Sequence, residues 1–337
     1  MDYTLLNDFS QISADEWNNL LKESISDTPF SRYEYQYAWW QHRGGGEWKN
    51  AQLLLVTARE GGRLIGIAPL FLAEYENKPS LLLNGSIEIS DYLDLIVRKE
   101  DHLRFLSGLL DFLASTLADN WSRLDWYNLP DDSPTLAAFK SEAEKRGWVP
   151  LEEVYRPTPR ITLHGDFEEY LSRVEKKQRH EIRRKMRRAA ESELNVRFVL
   201  VDPSADIEPE INAFFDLMVQ DPGKASFLHP AMREQMTSVL RAAHENGYLW
   251  LGFLEIAGVK TAASLNFDYN GKLWGYNSGV SRAHMELSPG WVLLSHTLQW
   301  CCENKRYEFD FMRGDEDYKY RFGGVNRFVM RARLEKG

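Results

Sequence analysis

The residues best suited to chemistry lie close together near the C-terminal end, in the stretch Tyr307-Glu-Phe-Asp-Phe-Met-Arg-Gly-Asp-Glu-Asp-Tyr-Lys-Tyr-Arg-Phe-Gly-Gly324. Tyr307, Phe309 and Phe311 alternate with Glu308, Asp310 and Met312, the period of a strand. Arg313-Gly314 breaks that strand, and Asp315-Glu316-Asp317 offers carboxylates to the start of a short helix. Asp310 and Asp315 are candidate general bases and Tyr318 a candidate acid. Lys319 is a candidate for stabilising developing negative charge, and Arg313 and Arg321 for holding an anionic part of a substrate. The plain alternative is a solvated charged turn at the end of a core strand.

A second cluster precedes it. A strand ending Trp274-Gly-Tyr-Asn-Ser-Gly279 leads through a polar loop to a helix that starts at Ser288-Pro-Gly-Trp291. Backbone amides at such a start, together with the helix dipole, favour a pyrophosphate or another anion. Ser288, Gly290 and Trp291 are the candidates there, with Tyr276, Asn277 and Ser278 on the strand before them. A third feature is the run from Arg173 to Arg188, rich in Arg and Lys and interrupted by Glu175 and Glu181. It reads either as the solvated face of an amphipathic helix or as a surface for a phosphorylated ligand or RNA.

These clusters need a scaffold, and the pattern supplies one. Helices are expected over 12–21, 102–118 and 134–147, and strands over 51–59, 63–72, 81–83, 92–97 and 123–129. The aromatic run from Phe30 to Trp40 reads as core at helical spacing. From Asp166 the layout begins again: the basic helix, a strand at 196–201, helices over 208–220 and 229–244, and strands over 248–255, 261–269 and 273–278. Ala257-Gly258 and Asn270-Gly271 are hairpin turns between those strands. A helix from Ser288 to Cys302 and strands at 307–312 and 328–334 complete the chain. The expectation is an α/β (α+β) fold of two similar domains, 1–163 and 164–337, each a mixed, mostly antiparallel twisted sheet flanked by helices.

Composition excludes several classes. With 337 residues, 43% hydrophobic and 27% charged, the chain is globular and long enough for two cores. A net charge of −9 gives the whole molecule no footprint for nucleic acid or anionic membrane. Cys301 and Cys302 are adjacent and suit packing in a reducing compartment, and no residues stand at metal-ligand spacing, His284 and His296 included. The first residues lack the basic and apolar regions of a signal peptide, and apolar stretches are strand-sized, so a cytoplasmic protein without membrane insertion is expected.

The strand–loop–helix layout at 274–291 resembles the acyl-coenzyme-A site of the GCN5-related N-acetyltransferase (GNAT) superfamily. Arg63-Leu-Ile-Gly-Ile-Ala-Pro-Leu70, Ser90-Asp-Tyr-Leu-Asp94, Lys176-Lys-Gln-Arg-His-Glu-Ile-Arg-Arg-Lys185 and Phe309-Asp-Phe-Met-Arg-Gly-Asp-Glu-Asp-Tyr-Lys319 are similar to stretches of the CelD/BcsL-type, BioF2-like acetyltransferases of that superfamily. Tyr318-Lys-Tyr-Arg-Phe-Gly323 resembles a late stretch of the FemAB-type peptidyltransferases, which are tandem GNAT folds with a functional lysine at the position of Lys319.

The resemblance implies transfer of an acyl group from acetyl-CoA or another acyl-CoA to an amine or hydroxyl of a small molecule, sugar or cell-envelope or exopolysaccharide precursor. It also implies a substrate contact at Asp91 and a first domain that shapes the acceptor cleft without catalysing. The alternatives are an aminoacyl-tRNA donor held by Arg173 to Arg188, or a non-catalytic module in polysaccharide biosynthesis. One departure stands out. Where GNAT domains commonly carry a glycine-rich loop, this sequence has Glu286-Leu-Ser-Pro-Gly-Trp291, with one glycine.

Overall fold

Helix starts follow the side-chain oxygens that the sequence supplies. In the computed structural model, which describes residues 1–336, Ser13 caps α1 (Ala14–Leu21) by accepting from the Glu16 amide at 3.1 Å. The first half then adds α2 (Tyr33–Gly46), α3 (His102–Thr116) and α4 (Pro134–Lys145) to strands β1 (Asp2–Leu6), β2 (Gln52–Glu60), β3 (Arg63–Tyr75), β4 (Lys78–Leu83), β5 (Ile96–Val97), β6 (Arg123–Pro130) and β7 (Val149–Pro157). Strands β1-β2-β3-β4-β6 neighbour one another in that order, β5 pairs with β3, and only β4–β6 is parallel. The aromatic run is core as expected: Phe30, Tyr35 and Trp39 are fully buried.

The strand expected at 92–97 shrinks to β5. Residues 84–95 instead form a buried polar loop whose backbone is satisfied by side chains. Gln36 Nε2 donates to the Asn84 carbonyl at 3.0 Å, Asn128 Nδ2 donates to the carbonyls of Ile87 and Ser90 at 2.9 Å each, and Tyr35 OH donates to the Ile89 carbonyl at 2.8 Å. Buried backbone groups need such partners, and here side chains from α2 and β6 replace a strand ladder.

The second half contains β8 (Arg160–Thr162), α5 (Phe167–Arg173), α6 (Lys176–Ala190), β9 (Arg197–Leu200), α7 (Ile207–Met218), α8 (Pro222–Phe227), α9 (Pro230–Glu245), β10 (Leu249–Ile256), β11 (Val259–Tyr269), β12 (Lys272–Val280), α10 (Pro289–Glu303), β13 (Glu308–Asp310) and α11 (Asp317–Arg321). Its sheet runs β8-β13-β12-β11-β10-β9, antiparallel except for β12–β13. Both hairpin turns hold two residues at positive φ, Ala257-Gly258 at 52° and 78° and Asn270-Gly271 at 51° and 72°. That geometry matches the twist of the flanking strands.

Helices cover both faces of this sheet. A Cβ on Gly279 would come within 2.5 Å of Met218 N in α7, whereas one on Gly290 of α10 would meet Val280 at 3.2 Å. Gly279 and Val280 are adjacent in a strand and point to opposite faces, so α7 and α10 lie on opposite sides. Between α10 and the sheet, Leu171, Ile182, Leu273, Leu298, Cys301 and Phe309 share one core. Both cysteines are buried thiols.

The last strand, β14 (Phe328–Glu335), does not join the second sheet. It inserts between β6 and β7, antiparallel to both. The compact units are therefore Met1–Pro157 with the segment from Phe328 onward, and Thr158–Arg327. The expected division at 163/164 changes at both ends. Strand β8 goes to the second unit because Ile161 pairs with Phe309 of β13, and β14 returns to the first because its buried Val329, Ala332 and Leu334 fit the core of that sheet. Each unit has the expected class, a mixed, mostly antiparallel sheet flanked by helices.

Candidate active site

Strands β12 and β13 pair for three residues only, Lys272↔Glu308, Leu273↔Phe309 and Trp274↔Asp310. Gly275 marks the last point of contact, since a Cβ there would approach the Asp310 carbonyl oxygen at 3.0 Å. Beyond it β12 continues to Val280, while Phe311 turns its amide to the Pro159 carbonyl at 2.9 Å. The two strands therefore part. On its other edge β12 carries a bulge: register jumps from Leu265↔Asn277 to Asn266↔Gly275, so Tyr276 is the extra residue. A bulge bends the strand and re-aims its groups. Tyr276, Asn277 and Ser278 thus lie on the stretch of β12 that β13 has left, all half-buried.

The turn after β13 is fixed by two buried charges. Asp310 is 1% exposed, and its Oδ1 accepts the Met312 amide at 2.7 Å, which holds Met312 at φ +61°. Lys319 is 2% exposed, and its ammonium donates to the carbonyls of Met312, Arg313 and Gly314 at 3.2, 2.9 and 3.2 Å while pairing with Glu316 at 2.9 Å. Three carbonyls saturate the three N–H groups of an ammonium. Lys319 thus faces the turn it closes. Tyr318 lies edge-on to Phe311 with ring centroids 5.9 Å apart. Although its side chain is 41% exposed, desolvation of the phenol and the charge of Glu316 push its pKa up to about 12. Asp315 is exposed and accepts from Tyr320 OH, and Arg321 is exposed and pairs with Asp317.

At the start of α10, Ser288 is left-handed (φ 55°) and its hydroxyl caps nothing. Its carbonyl instead accepts the amides of Trp291 and Val292 at 3.0 and 3.1 Å. Pro289 has no N–H, so Gly290 supplies the one first-turn amide that makes no hydrogen bond within the described residues. The Trp291 ring packs between Phe322 (4.7 Å between ring centroids) and the Lys185 ammonium (4.1 Å). Desolvation lowers the pKa of Lys185. Arg188 donates to the Glu286 carbonyl at 3.0 Å, so α6 ties down the loop before α10.

The basic run is two helices, α5 and α6, broken at Val174 and Glu175, and much of its charge is paired. Arg173 meets Glu169, Arg183 meets Glu168, and Arg184 and Lys185 meet Glu181.

The second unit therefore brings together two of the expected sets, 276–278 with 288–291 around β12, and 310–321 beyond β13. Asp91 belongs to the first unit, in the buried loop, where it is 7% exposed. One residue the sequence did not single out is Lys224, which lies in α8. Its ammonium donates to the Ser278 carbonyl at 2.6 Å and to Ser278 Oγ at 3.3 Å. The only hint was Asp221-Pro-Gly-Lys itself, an Asp cap followed by Pro at the first helical position. Among the described residues no His, Cys, Asp and Glu side chains group as metal ligands, and no helix is long and apolar enough to cross a membrane.

Comparison with known proteins bears on the fold of the two units. Residues 176–320 match the family model described as an acetyltransferase (GNAT) domain. No curated protein matches the chain in sequence. Among solved structures, FemX superimposes with a TM-score of 0.70 at 12% identity, covering 98% of this chain and 97% of its own. L-PGS from Bacillus licheniformis gives 0.57 at 10% identity, covering 95% and 91%. A tandem GNAT protein from the clavulanic acid biosynthesis pathway gives 0.53 at 12% identity, covering 98% and 97%. The two units are thus a tandem of GNAT-like folds, residues 176–320 match an acetyltransferase (GNAT) domain, and the chain is an acyltransferase.

Proposed function

We propose that the second unit transfers an acyl group from acyl-CoA to an amine or hydroxyl of a small molecule, sugar or cell-envelope precursor. The observation that carries this reading is the parting of β12 from β13 after three paired residues, directly upstream of the α10 start. A donor chain laid along the open edge of β12 would have its thioester beside Tyr276 to Ser278. Its phosphates would lie toward Ser288, Gly290 and Trp291, where Lys185 and Arg188 add positive charge.

In this reading Asp310 takes a proton from the acceptor as its nitrogen or oxygen bonds to the thioester carbon and the C=O pair moves onto oxygen. The C=O bond re-forms, the C–S bond breaks with its pair on sulfur, and Tyr318 gives the thiolate a proton. With its pKa raised to about 12, Tyr318 holds that proton at neutral pH. Lys319 serves by holding the 312–314 turn rather than by touching substrate. Arg313 and Arg321 are proposed contacts to the acceptor, and Asp315 is a secondary carboxylate. Isothermal titration with acetyl-CoA and coenzyme A, followed by mass spectrometry of amine and hydroxyl acceptors, tests the reading. No binding at millimolar coenzyme removes it.

A second reading keeps the site and changes the donor to an aminoacyl-tRNA. The meagre α10 start favours it, with one available amide under Trp291, as does the likeness in fold to FemX. RNA binding through α6 should then weaken steeply with salt, and charge reversal at Arg187 should flatten that slope by about one counterion. An unchanged slope removes this alternative.

A further inference from the structure

Lys224 reaches the candidate site from the opposite side of the sheet to α6. Gly279 lets the C-terminal end of α7 sit directly on β12, where any side chain would collide with Met218 N at 2.5 Å. The chain then turns, Asp221 caps α8 by accepting the Lys224 amide at 3.0 Å, and the Lys224 side chain extends to Ser278. Ser278 lies one residue before that landing point and two after the bulge residue Tyr276, on the edge of β12 that β13 no longer covers. Of the three ammonium N–H groups, one donates to the Ser278 carbonyl and one to Ser278 Oγ. The third has no partner among the described residues.

We propose that Lys224 is a catalytic residue of the acyl-transfer site, donating its third N–H to the carbonyl oxygen of the donor's acyl group. The inference rests on the donor lying along β12, as in the function proposed above. As the acceptor's lone pair forms its bond to the acyl carbon, the C=O pair moves to oxygen beside the ammonium. When that pair returns, the C–S bond breaks and sulfur leaves with its electrons, taking the proton that Asp310 removed from the acceptor by way of Tyr318. Lys224 keeps its own protons throughout and supplies fixed positive charge where negative charge develops.

Charge around the ammonium fits that role. Desolvation lowers the pKa of Lys224, opposed by the charges of Asp221 at the cap of α8 and of Glu316 before α11. Glu316 is itself held by Lys319, so the carboxylate that faces Lys224 is fixed by the residue that closes the 312–314 turn. A desolvated ammonium with an unspent donor is a strong partner for an oxyanion.

The test uses the full chain and two ligands, coenzyme A and its non-transferable ketone analogue acetonyl-CoA, with wild type and Lys224→Met. Wild type is expected to bind both. Lys224→Met should keep its affinity for coenzyme A within about threefold and bind the ketone roughly tenfold or more weakly, the loss of one charged hydrogen bond. With acetyl-CoA its kcat should fall about 100-fold, as for removal of an oxyanion donor. Should Lys224→Met fail to fold, Lys224→Gln, which keeps an N–H donor for Ser278 without the charge, is read by the same criteria. Equal binding of both ligands by wild type and variant overturns the role of Lys224 and leaves the coenzyme reading standing. Wild type that binds neither ligand overturns both.

Discussion

Replacing Lys319 separates a residue that acts on substrate from one that shapes the loop presenting it. The ammonium donates to three consecutive carbonyls at 2.9–3.2 Å, and its side chain is almost wholly buried. The ion pair with Glu316 adds little, because the Glu316 side chain is 58% exposed and solvent screens it. Lys319→Ala deletes three buried methylenes, about 2 kcal/mol of transfer free energy, and leaves the turn carbonyls without their donor. Stranding those carbonyls costs a further 1–3 kcal/mol or so after the loop relaxes toward water. The expected sum is about 3–5 kcal/mol of lost stability in the second unit. Lys319→Met keeps most of the packing and should lose roughly 2 kcal/mol less.

Urea unfolding followed by tryptophan fluorescence gives both values, and amide exchange over 310–324 locates the change. If Lys319→Ala unfolds at the wild-type urea midpoint, keeps protection over 310–324 and loses only activity, the loop-holding account is refuted and Lys319 acts on substrate.

The two candidate carboxylates should behave differently. Asp310→Asn is expected to lower kcat by 10²–10⁴, the usual worth of a positioned base, whereas Asp315→Asn, an exposed acceptor for Tyr320, should stay within about threefold; equal losses would remove Asp310 from its role. In the first unit, burial pushes the carboxyl of Asp94 up to about 6 despite the hydrogen bonds it accepts from Ser133, Thr135 and the Leu95 amide. The fold then keeps a proton that the unfolded chain has already released, so this group's contribution to stability falls as pH rises from about 4 through 6. Two pKa units amount to about 3 kcal/mol. The stability difference between wild type and Asp94→Asn should change by that amount between pH 4 and pH 7 in urea titrations, and a pH-independent difference would refute it.

Local structure follows the sequence where one side chain decides the outcome. Ser13, Ser133 and Asp166 cap helices by accepting from amides two or three residues on, and the two hairpin turns take the positive φ values that Asn-Gly and Ala-Gly permit. What failed was partner choice. The alternation in Phe328–Glu335 identifies a strand, but not that its neighbours are β6 and β7, some 200 residues earlier. The expected strand at 92–97 shrank because Gln36 and Asn128 satisfy that backbone from distant elements. Lys224 stayed hidden for the same reason. Its importance lies in reaching Ser278, 54 positions away, and no local pattern records that.

The glycines of β12 connect these outcomes. In Lys-Leu-Trp-Gly-Tyr-Asn-Ser-Gly-Val, an isolated glycine weakens a strand, so two within five residues need a cause. Gly275 admits the Asp310 carbonyl where β13 last touches β12, and Gly279 admits α7. Between them lie Tyr276, Asn277 and Ser278, past the last pairing with β13 and before the α7 contact. A side chain at Gly275 would force the strands apart one residue early and shift Asp310. One at Gly279 would lift α7 and withdraw Lys224 from Ser278. The two closest approaches thus fix Asp310 on one side of the open edge and the Lys224 ammonium on the other. The spacing of these glycines, rather than any single charged residue, sets the length of β12 that β13 leaves open before α7 lands.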